Sequence, residues 1–320
     1  DKIPPQLPTE NDSRTLSWIN PGKQWASYPE TYGAGIDSHY DTASFRKLSS
    51  IPEPGLLARI NNVPQAGQYT LSRGNDPLDA SKKAFFHKVT SAWDQWDPQA
   101  FHTCRSEYFG GTPDLDMFLE GEEYWYITAF CFGADCFGHN GYNIDLSDIH
   151  EQNWTPETTG AVLTGGVMNG IGLGDNHGND NFTWDYKWIT GYPPVMGSPG
   201  SGELSIPLQT SPVVPEVWYY VIRKLRLHYD VTKDPYLKVW VAKGNGPLVL
   251  MGDKKGPNAY NLDNPRYYPK VGLYKWDQTW GSKTTRTLWT KGMYIFKAAN
   301  PASNEPVIDQ NSLLALLRSI

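Results

Sequence analysis

The hydrophobic residues of this chain recur in short alternating segments, which are separated by glycine and proline. Residues Glu123–Phe132 form a nearly unbroken run of β-formers, which predicts a central strand buried on both faces. Residues 181–188 alternate strictly and place four aromatic rings on one face: Phe182, Trp184, Tyr186 and Trp188. Such a row forms either a wall of the core or a platform on which sugars stack. The pattern therefore predicts strands and leaves the role of this row open.

The same pattern predicts many other strands and almost no helix. They cover residues 68–73, 83–89, 101–109, 144–154, 218–229, 236–242, 247–251, 268–276, 285–289 and 292–296. We interpret residues 1–66 as an irregular N-terminal wrap, 191–215 as a long loop and 309–320 as a short C-terminal helix. A single all-β domain over residues 1–320 is expected, as a two-sheet antiparallel sandwich with one concave sheet face.

Composition supports this class and excludes others. The chain has 320 residues with 30 glycines, 25 prolines, 13 tryptophans and 19 tyrosines, and only 19% of its residues are charged. A net charge of −6 argues against a nucleic-acid-binding protein. No apolar run is long enough to span a membrane. Three cysteines are too few for a disulfide framework, although Cys131 and Cys136 are close enough in sequence for a bridge, which the sequence leaves open.

We expect a secreted monomer. Three Asn-x-Ser/Thr sequons, at Asn11, Asn153 and Asn181, are compatible with secretion, and a chain that starts at Asp1 without methionine fits a processed protein, although no signal peptide is visible.

Chemically useful side chains share strand faces at three places. Alternation places Arg105 and Glu107 on one face of the first strand. Asp148, His150 and Gln152 share a face of the second strand. Tyr268, Lys270, Gly272 and Tyr274 share a face of the third strand. A glycosidase needs a pair of carboxylates, and no strand supplies one. The Gly-x-Ser-x-Gly motif is absent and the seven histidines are scattered. Arginine, histidine, glutamine, lysine and tyrosine together suit β-elimination from a uronic acid, because a base, an acid and a neutraliser of the carboxylate are required.

Three of these segments resemble, in order, motifs of the jelly-roll polysaccharide lyases of the concanavalin A-like superfamily, which includes alginate lyases, glucuronan lyases and heparin lyase I. They are Cys-Arg-Ser-Glu-Tyr at 104–108, Ser-Asp-Ile-His-Glu-Gln at 147–152 and Tyr-Pro-Lys-Val-Gly-Leu-Tyr at 268–274. The resemblance implies a jelly roll with His150 as base and Tyr274 as acid. It further implies substrate contacts from Arg105, Glu107, Gln152, Lys270 and Tyr268.

Two positions depart from the family pattern. Phe109 replaces a second arginine, and Asp148 stands where a glutamine is usual. We infer that Gln152, on the same face as His150, neutralises the uronate carboxylate instead.

The resulting hypothesis is a lyase that cleaves an anionic uronic-acid polysaccharide and requires no cofactor. The alternatives are a non-catalytic carbohydrate-binding module and a sandwich-fold glycoside hydrolase. Asp175 and Asp180 lie in a loop that is either a structural calcium site or a plain turn. A row of Lys224, Arg226 and His228 is either a solvated outer face or a groove for a polyanion. The identity of the sugar and the choice between endo and exo cleavage stay open.

Overall fold

The computed structural model describes fifteen stretches of the chain, and every statement below concerns these residues alone. They are residues 7–22, 46–47, 57–60, 69–90, 104–109, 118–137, 144–151, 167–174, 181–192, 194–195, 197–207, 213–262, 267–275, 285–298 and 307–320.

Sixteen described strands, β1 to β16 in chain order, form two sheets of eight strands each. Sheet A has the order β14-β13-β12-β7-β16-β5-β4, and β1 also pairs with β16. Its strands are β1 (Thr15–Ile19), β4 (Tyr69–Asn75), β5 (Lys83–Thr90), β7 (Glu123–Phe132), β12 (Trp218–Arg226), β13 (Tyr236–Lys243), β14 (Val249–Lys255) and β16 (Thr285–Lys297).

Sheet B has the order β11-β10-β9-β8-β15-β6-β3-β2. Its strands are β2 (Arg46–Lys47), β3 (Leu57–Ile60), β6 (Cys104–Phe109), β8 (Ile144–Glu151), β9 (Val167–Gly174), β10 (Asn181–Ile189), β11 (Ser201–Pro207) and β15 (Tyr267–Lys275). Strand pairs within both sheets are antiparallel. The predicted all-β jelly-roll sandwich is confirmed.

The core lies between the sheets, and β7 explains why it forms. Tyr124, Tyr126 and Phe130 of β7 enter the cluster between the sheets, which also contains Val271 and Leu273 of β15. The alternate residues of β7 enter a second cluster on the other face of sheet A. Both faces of β7 are therefore buried, as its unbroken run of β-formers predicts.

The second cluster exists because a helix covers the outer face of sheet A. Helix α1 (Gln310–Ser319) begins at Asp309, whose carboxylate accepts hydrogen bonds from the backbone N–H groups of Asn311 and Ser312. It buries four leucines: Leu313, Leu314, Leu316 and Leu317. Within the described stretches, no helix is long and apolar enough to cross a membrane.

Strand β9 and the strands β1, β2 and β3 of the N-terminal segment are not among the predicted strands, and two further segments also differ from their prediction. The predicted loop at 191–215 contains strand β11, which pairs with β10 at the edge of sheet B. The two strands predicted at 285–289 and 292–296 are one strand, β16, with an irregularity between Thr290 and Met293. Gly292 lies within it at φ 95°, a conformation that favours glycine. Gly292 therefore lies at a bulge inside one continuous strand.

Candidate active site

The three segments that carry the predicted site are neighbours in sheet B, in the order β8-β15-β6. Tyr267, Val271 and Leu273 of β15 and Ile149 of β8 are buried in the core between the sheets. Because successive strand residues face opposite sides, positions 148, 150, 268, 270, 272 and 274 lie on the face away from this core. The register with β6 puts positions 105 and 107 on that same face. We call it the outer face of sheet B.

The register determines which predicted residues meet. His150 is directly opposite Tyr268, whereas Tyr274 is opposite Asp145 on β8 and Arg105 on β6. Tyr268 and Tyr274 are six residues apart on one strand, which is about 20 Å at about 3.3 Å per residue. The structure thus brings His150 together with Tyr268 and separates it from Tyr274, the predicted acid.

The outer face also carries an arginine that the sequence analysis does not identify. Arg59 of β3 is directly opposite Glu107, which in turn is opposite Gly272. Arg59 lies in the segment interpreted as an irregular wrap, where no alternation marks a strand face. Strand pairing alone places this arginine near Arg105, on a face where Phe109 replaces the second arginine of the family pattern.

Glycines form part of the floor of the outer face. On β9, Gly170 is opposite Asp148 and Gly172 is opposite Asp145. On β15, Gly272 has φ 150° and lies where β15 has one residue more than β8 between paired positions. Glycines in strands often mark bulges and close approach of a ligand to the backbone. Gly170 and Gly272 are themselves buried, however, so neither is open to a ligand in this structure.

A pair of aspartate positions lies on either side of Gly170 on this face. Gly170 is opposite Asp148 on one side and Asp185 of β10 on the other. Two strand spacings of about 4.8 Å place these aspartates roughly 10 Å apart. The sequence analysis finds no carboxylate pair because it considers single strands, and this pair exists only through the register of β8, β9 and β10.

Lys270 has a different environment from the one predicted. Its residue is completely buried, and it lies opposite Asp148 in the register. The hydroxyl of Tyr126, from sheet A, donates a 2.9 Å hydrogen bond to the Lys270 carbonyl. A residue with no exposed surface has no side open to a polymer in this structure, and the predicted contact of Lys270 with the substrate stays a prediction.

Several predicted residues lie outside the described stretches. These are Gln152 and the two aspartates of the calcium loop, Asp175 and Asp180. Among the residues with a described position, no group of three or more histidine, cysteine, aspartate or glutamate side chains could hold a metal ion. The roles of these three residues stay predictions.

The basic row of β12 does not belong to this face. Lys224 and Arg226 are on sheet A, and Glu123 pairs with both, at 2.8 Å and 3.2 Å. Arg226 also lies 3.2 Å from Asp234. The row is thus a partly exposed face with its own counterions, and it contributes no charge to the outer face of sheet B.

The aromatic row of β10 belongs to the core. Phe182, Trp184 and Tyr186 are at most 2% exposed, and Trp188 packs against the same core cluster. The core interpretation is confirmed, and the sugar-stacking platform is wrong for this row. Cys131 and Cys136 are both buried free thiols, so the bridge between them is not formed.

The carboxyl group of Glu120, which contacts the first residue of β15, has an unusual pKa. The Tyr267 hydroxyl donates a 2.9 Å hydrogen bond to Glu120, and burial raises the pKa of Glu120 to about 7. His228 Nε2 lies 3.8 Å from Glu120, while His228 Nδ1 accepts a hydrogen bond from the Asp230 N–H. Burial lowers the pKa of His228, which favours its neutral form. Tyr267 faces the core, so this cluster is separate from the outer face.

Comparison with known proteins supports the fold. No protein-family model matches the chain, and no curated protein does. Among solved structures, the endo-β-1,4-glucuronan lyase from the fungus Trichoderma reesei aligns at a TM-score of 0.52 and 16% identity, over 72% of this chain and 88% of that one. At this identity the likeness shows a shared jelly-roll sandwich fold and does not establish activity.

Two further structures align with lower scores. The PL-14 alginate lyase from Aplysia kurodai has a TM-score of 0.46 and 10% identity, over 72% of this chain and 87% of that one. The catalytic domain of a glycoside hydrolase family 131 protein from Coprinopsis cinerea has a TM-score of 0.46 and 12% identity, over 88% of this chain and 98% of that one. Neither score supports an inference.

Proposed function

We propose that this chain, which shares the sandwich fold of the fungal glucuronan lyase, is a polysaccharide lyase that cleaves a uronic-acid polysaccharide by β-elimination. The observation that carries the proposal is the adjacency of β8, β15 and β6, which puts His150 opposite Tyr268 on one face. Directly opposed strand residues have Cβ atoms about 5 Å apart, so an imidazole and a phenol there can reach one sugar ring.

The proposed reaction divides between these two residues. His150 takes the proton from C5 of the uronate, the bond from C4 to the leaving oxygen breaks, and a double bond forms between C4 and C5. The Tyr268 hydroxyl protonates the leaving oxygen. The resemblance assigns the acid to Tyr274, but the register favours Tyr268, because a single ring cannot span the distance between His150 and Tyr274.

The arginine end of the face would bind the polymer beyond the reacting sugar. Arg105 is opposite Tyr274, and Arg59 is opposite Glu107, so two cationic residues lie on neighbouring strands. Arginine is suited to carboxylates because its planar group can donate two parallel hydrogen bonds. Gln152 remains the proposed partner of the reacting carboxylate.

The test compares two phenols on the same strand. We expect the wild-type protein to release 4,5-unsaturated uronate from at least one of glucuronan, alginate and heparin, measured by ultraviolet absorbance. His150→Ala and Tyr268→Phe should each lower the rate by about 100-fold or more, whereas Tyr274→Phe should retain it within about tenfold.

The other outcomes are equally informative. Loss of activity in Tyr274→Phe with full activity in Tyr268→Phe would contradict the assignment from the register. Binding of a polysaccharide with no product from any polymer would favour the carbohydrate-binding module instead.

One observation favours a second candidate, an inverting glycoside hydrolase. Asp148 and Asp185 lie across Gly170 at strand positions roughly 10 Å apart, from which two carboxyl groups could reach the roughly 6.5 to 9.5 Å separation that such enzymes use. Asp185→Asn should abolish hydrolysis in that case and leave elimination unchanged. We place it second because the strand position of Asp148 lies directly opposite that of Lys270, a residue of opposite charge.

A further inference from the structure

A pocket of about 490 Å³ lies on the outer face of sheet A, beside the start of α1. Its volume is within the range of roughly 300 to 1,000 Å³ that is usual for small-ligand sites. Three aromatic residues and three lysines provide its floor: Trp125, Tyr236, Trp240, Lys224, Lys238 and Lys255. Val307 and Gln310 line it from the segment that leads into α1. We call it the sheet A pocket.

Strand register explains why rings and lysines are interleaved here. Lys224 of β12 is directly opposite Trp125 on one side and Lys238 of β13 on the other. In the next row, Tyr236 is directly opposite Lys255. The ammonium of Lys224 lies 5.3 Å from the centre of the Trp125 ring, and Trp125 and Trp240 have ring centres 5.8 Å apart. The pocket therefore presents ring surface beside ammonium groups.

The arrangement of charges points to an anion. Like charges at directly opposed strand positions, as at Lys224 and Lys238, destabilise a sheet. Glu123 and Asp253 offset this cost at 2.8 Å and 3.2 Å, but these pairs are partly exposed and contribute little. Lys255 has no ion pair anywhere in the described stretches, and every ammonium has three donors. Donors for a bound anion therefore remain.

The charge of the side chains that line the pocket suits a ligand with isolated carboxylates better than one with a run of phosphates. Two aspartates also line the pocket, and one of them, Asp309, already accepts the backbone N–H groups that start α1. Asp234 pairs with Arg226 at 3.2 Å, and Glu123 and Asp253 pair with Lys224 and Lys238, so Lys255 is the lining lysine left to attract a sparsely charged ligand. The net charge of −6 opposes a nucleic acid, whose charges follow each other about every 3.4 Å along a strand.

We infer that the sheet A pocket is a second carbohydrate site, which binds a uronate-bearing saccharide with a sugar face against Trp240 and its carboxylate near Lys255. This site is on the opposite sheet from His150, so it is separate from the proposed reaction and does not depend on it. In a polysaccharide-degrading protein it would hold the polymer and raise its local concentration.

The test measures binding of a glucuronate tetrasaccharide by calorimetry, with cellotetraose as the neutral probe and a single-stranded oligonucleotide as the anionic one. We expect Lys255→Glu to weaken uronate binding about tenfold, because one charge-assisted contact is replaced by repulsion. Lys243→Glu, at the far end of β13 and outside the pocket lining, makes the same charge change at an exposed residue and should bind like the wild type. Lys255→Gln provides a neutral variant with a lower risk to folding.

Hydrogen exchange localises the site independently. With the tetrasaccharide bound, amides of β14 and of residues 307–310 should gain protection, whether or not the protein has lyase activity. Equal affinities of Lys255→Glu and Lys243→Glu, or protection confined to β8, β15 and β6, would overturn the inference. Equal affinity for the oligonucleotide would overturn the assignment of a saccharide, since charge attraction alone would then explain binding.

Discussion

A buried ion pair in sheet A gives the sharpest prediction about stability. Lys291 Nζ lies 2.9 Å from Asp76 Oδ2, and their side chains are only 3% and 1% exposed. The same ammonium donates a 2.7 Å hydrogen bond to the carbonyl of Ile320, while the indole N–H of Trp218 donates to Asp76 at 3.0 Å. The pair thus joins β16, β12 and the end of α1.

Lys291→Met keeps the length of the side chain and removes its charge, so Asp76 is left buried without its cation. Removing one partner of a buried pair costs about 3–5 kcal/mol, because the remaining charge is uncompensated. At about 2.1 cal/mol/K per residue over 320 residues, this loss lowers Tm by about 4–8 °C. The double variant Asp76→Asn with Lys291→Met should recover part of the loss, since no charge then stays buried.

Urea unfolding monitored by tryptophan fluorescence measures this loss. Lys297→Met is the matched control on the same strand, because Lys297 pairs with Glu122 at 2.6 Å but their side chains are 40% and 43% exposed. We expect the control to lose less than about 1 kcal/mol. Equal losses in the two methionine variants would refute the argument from burial.

Three other predictions follow from single sites. Because the folded-state pKa of Glu120 lies near 7, above its usual 4.5, its stabilisation is full below pH 4.5 and is lost as the pH rises through 7. In urea titrations, Glu120→Gln should reduce by about 1–2 kcal/mol the fall in the free energy of unfolding between about pH 4.5 and pH 8, after allowance for partial exposure. The same dependence of the free energy of unfolding on pH in wild type and variant would contradict this. Burial raises the thiol pKa of Cys131 and Cys136 to about 12, so neither should react with a thiol reagent until the protein unfolds; native labelling would refute this. Gly292→Ala should destabilise by about 2–4 kcal/mol in the same assay, since φ is 95° and a Cβ would lie 1.8 Å from the carbonyl oxygen of Ile19; a neutral effect would contradict the bulge geometry.

Strand existence and strand faces could be predicted from the sequence, because alternation depends only on local geometry. The run Glu123–Phe132 is a doubly buried strand as predicted, and the rings of Phe182, Trp184 and Tyr186 share one buried face. The predicted assignment of alternate residues of β15 to two faces is also correct, since Tyr267, Val271 and Leu273 face the core.

Register could not be predicted, because it depends on which strands pair and where bulges fall. The pairing of His150 with Tyr268, the carboxylates across Gly170 and the position of Arg59 all follow from register alone. Alternation likewise places Lys270 on the correct face, but its complete burial is a property of the assembled protein.

The most direct test of the proposed lyase is the mass of its products after digestion of glucuronan in oxygen-18-labelled water. Elimination adds no water across the broken bond, so each cleavage should yield one fragment that ends in an unsaturated uronate, lighter by one water molecule than the hydrolytic fragment, and neither fragment should contain the label. Fragments of full hydrated mass that carry the label would contradict the lyase and favour a hydrolase based on Asp148 and Asp185.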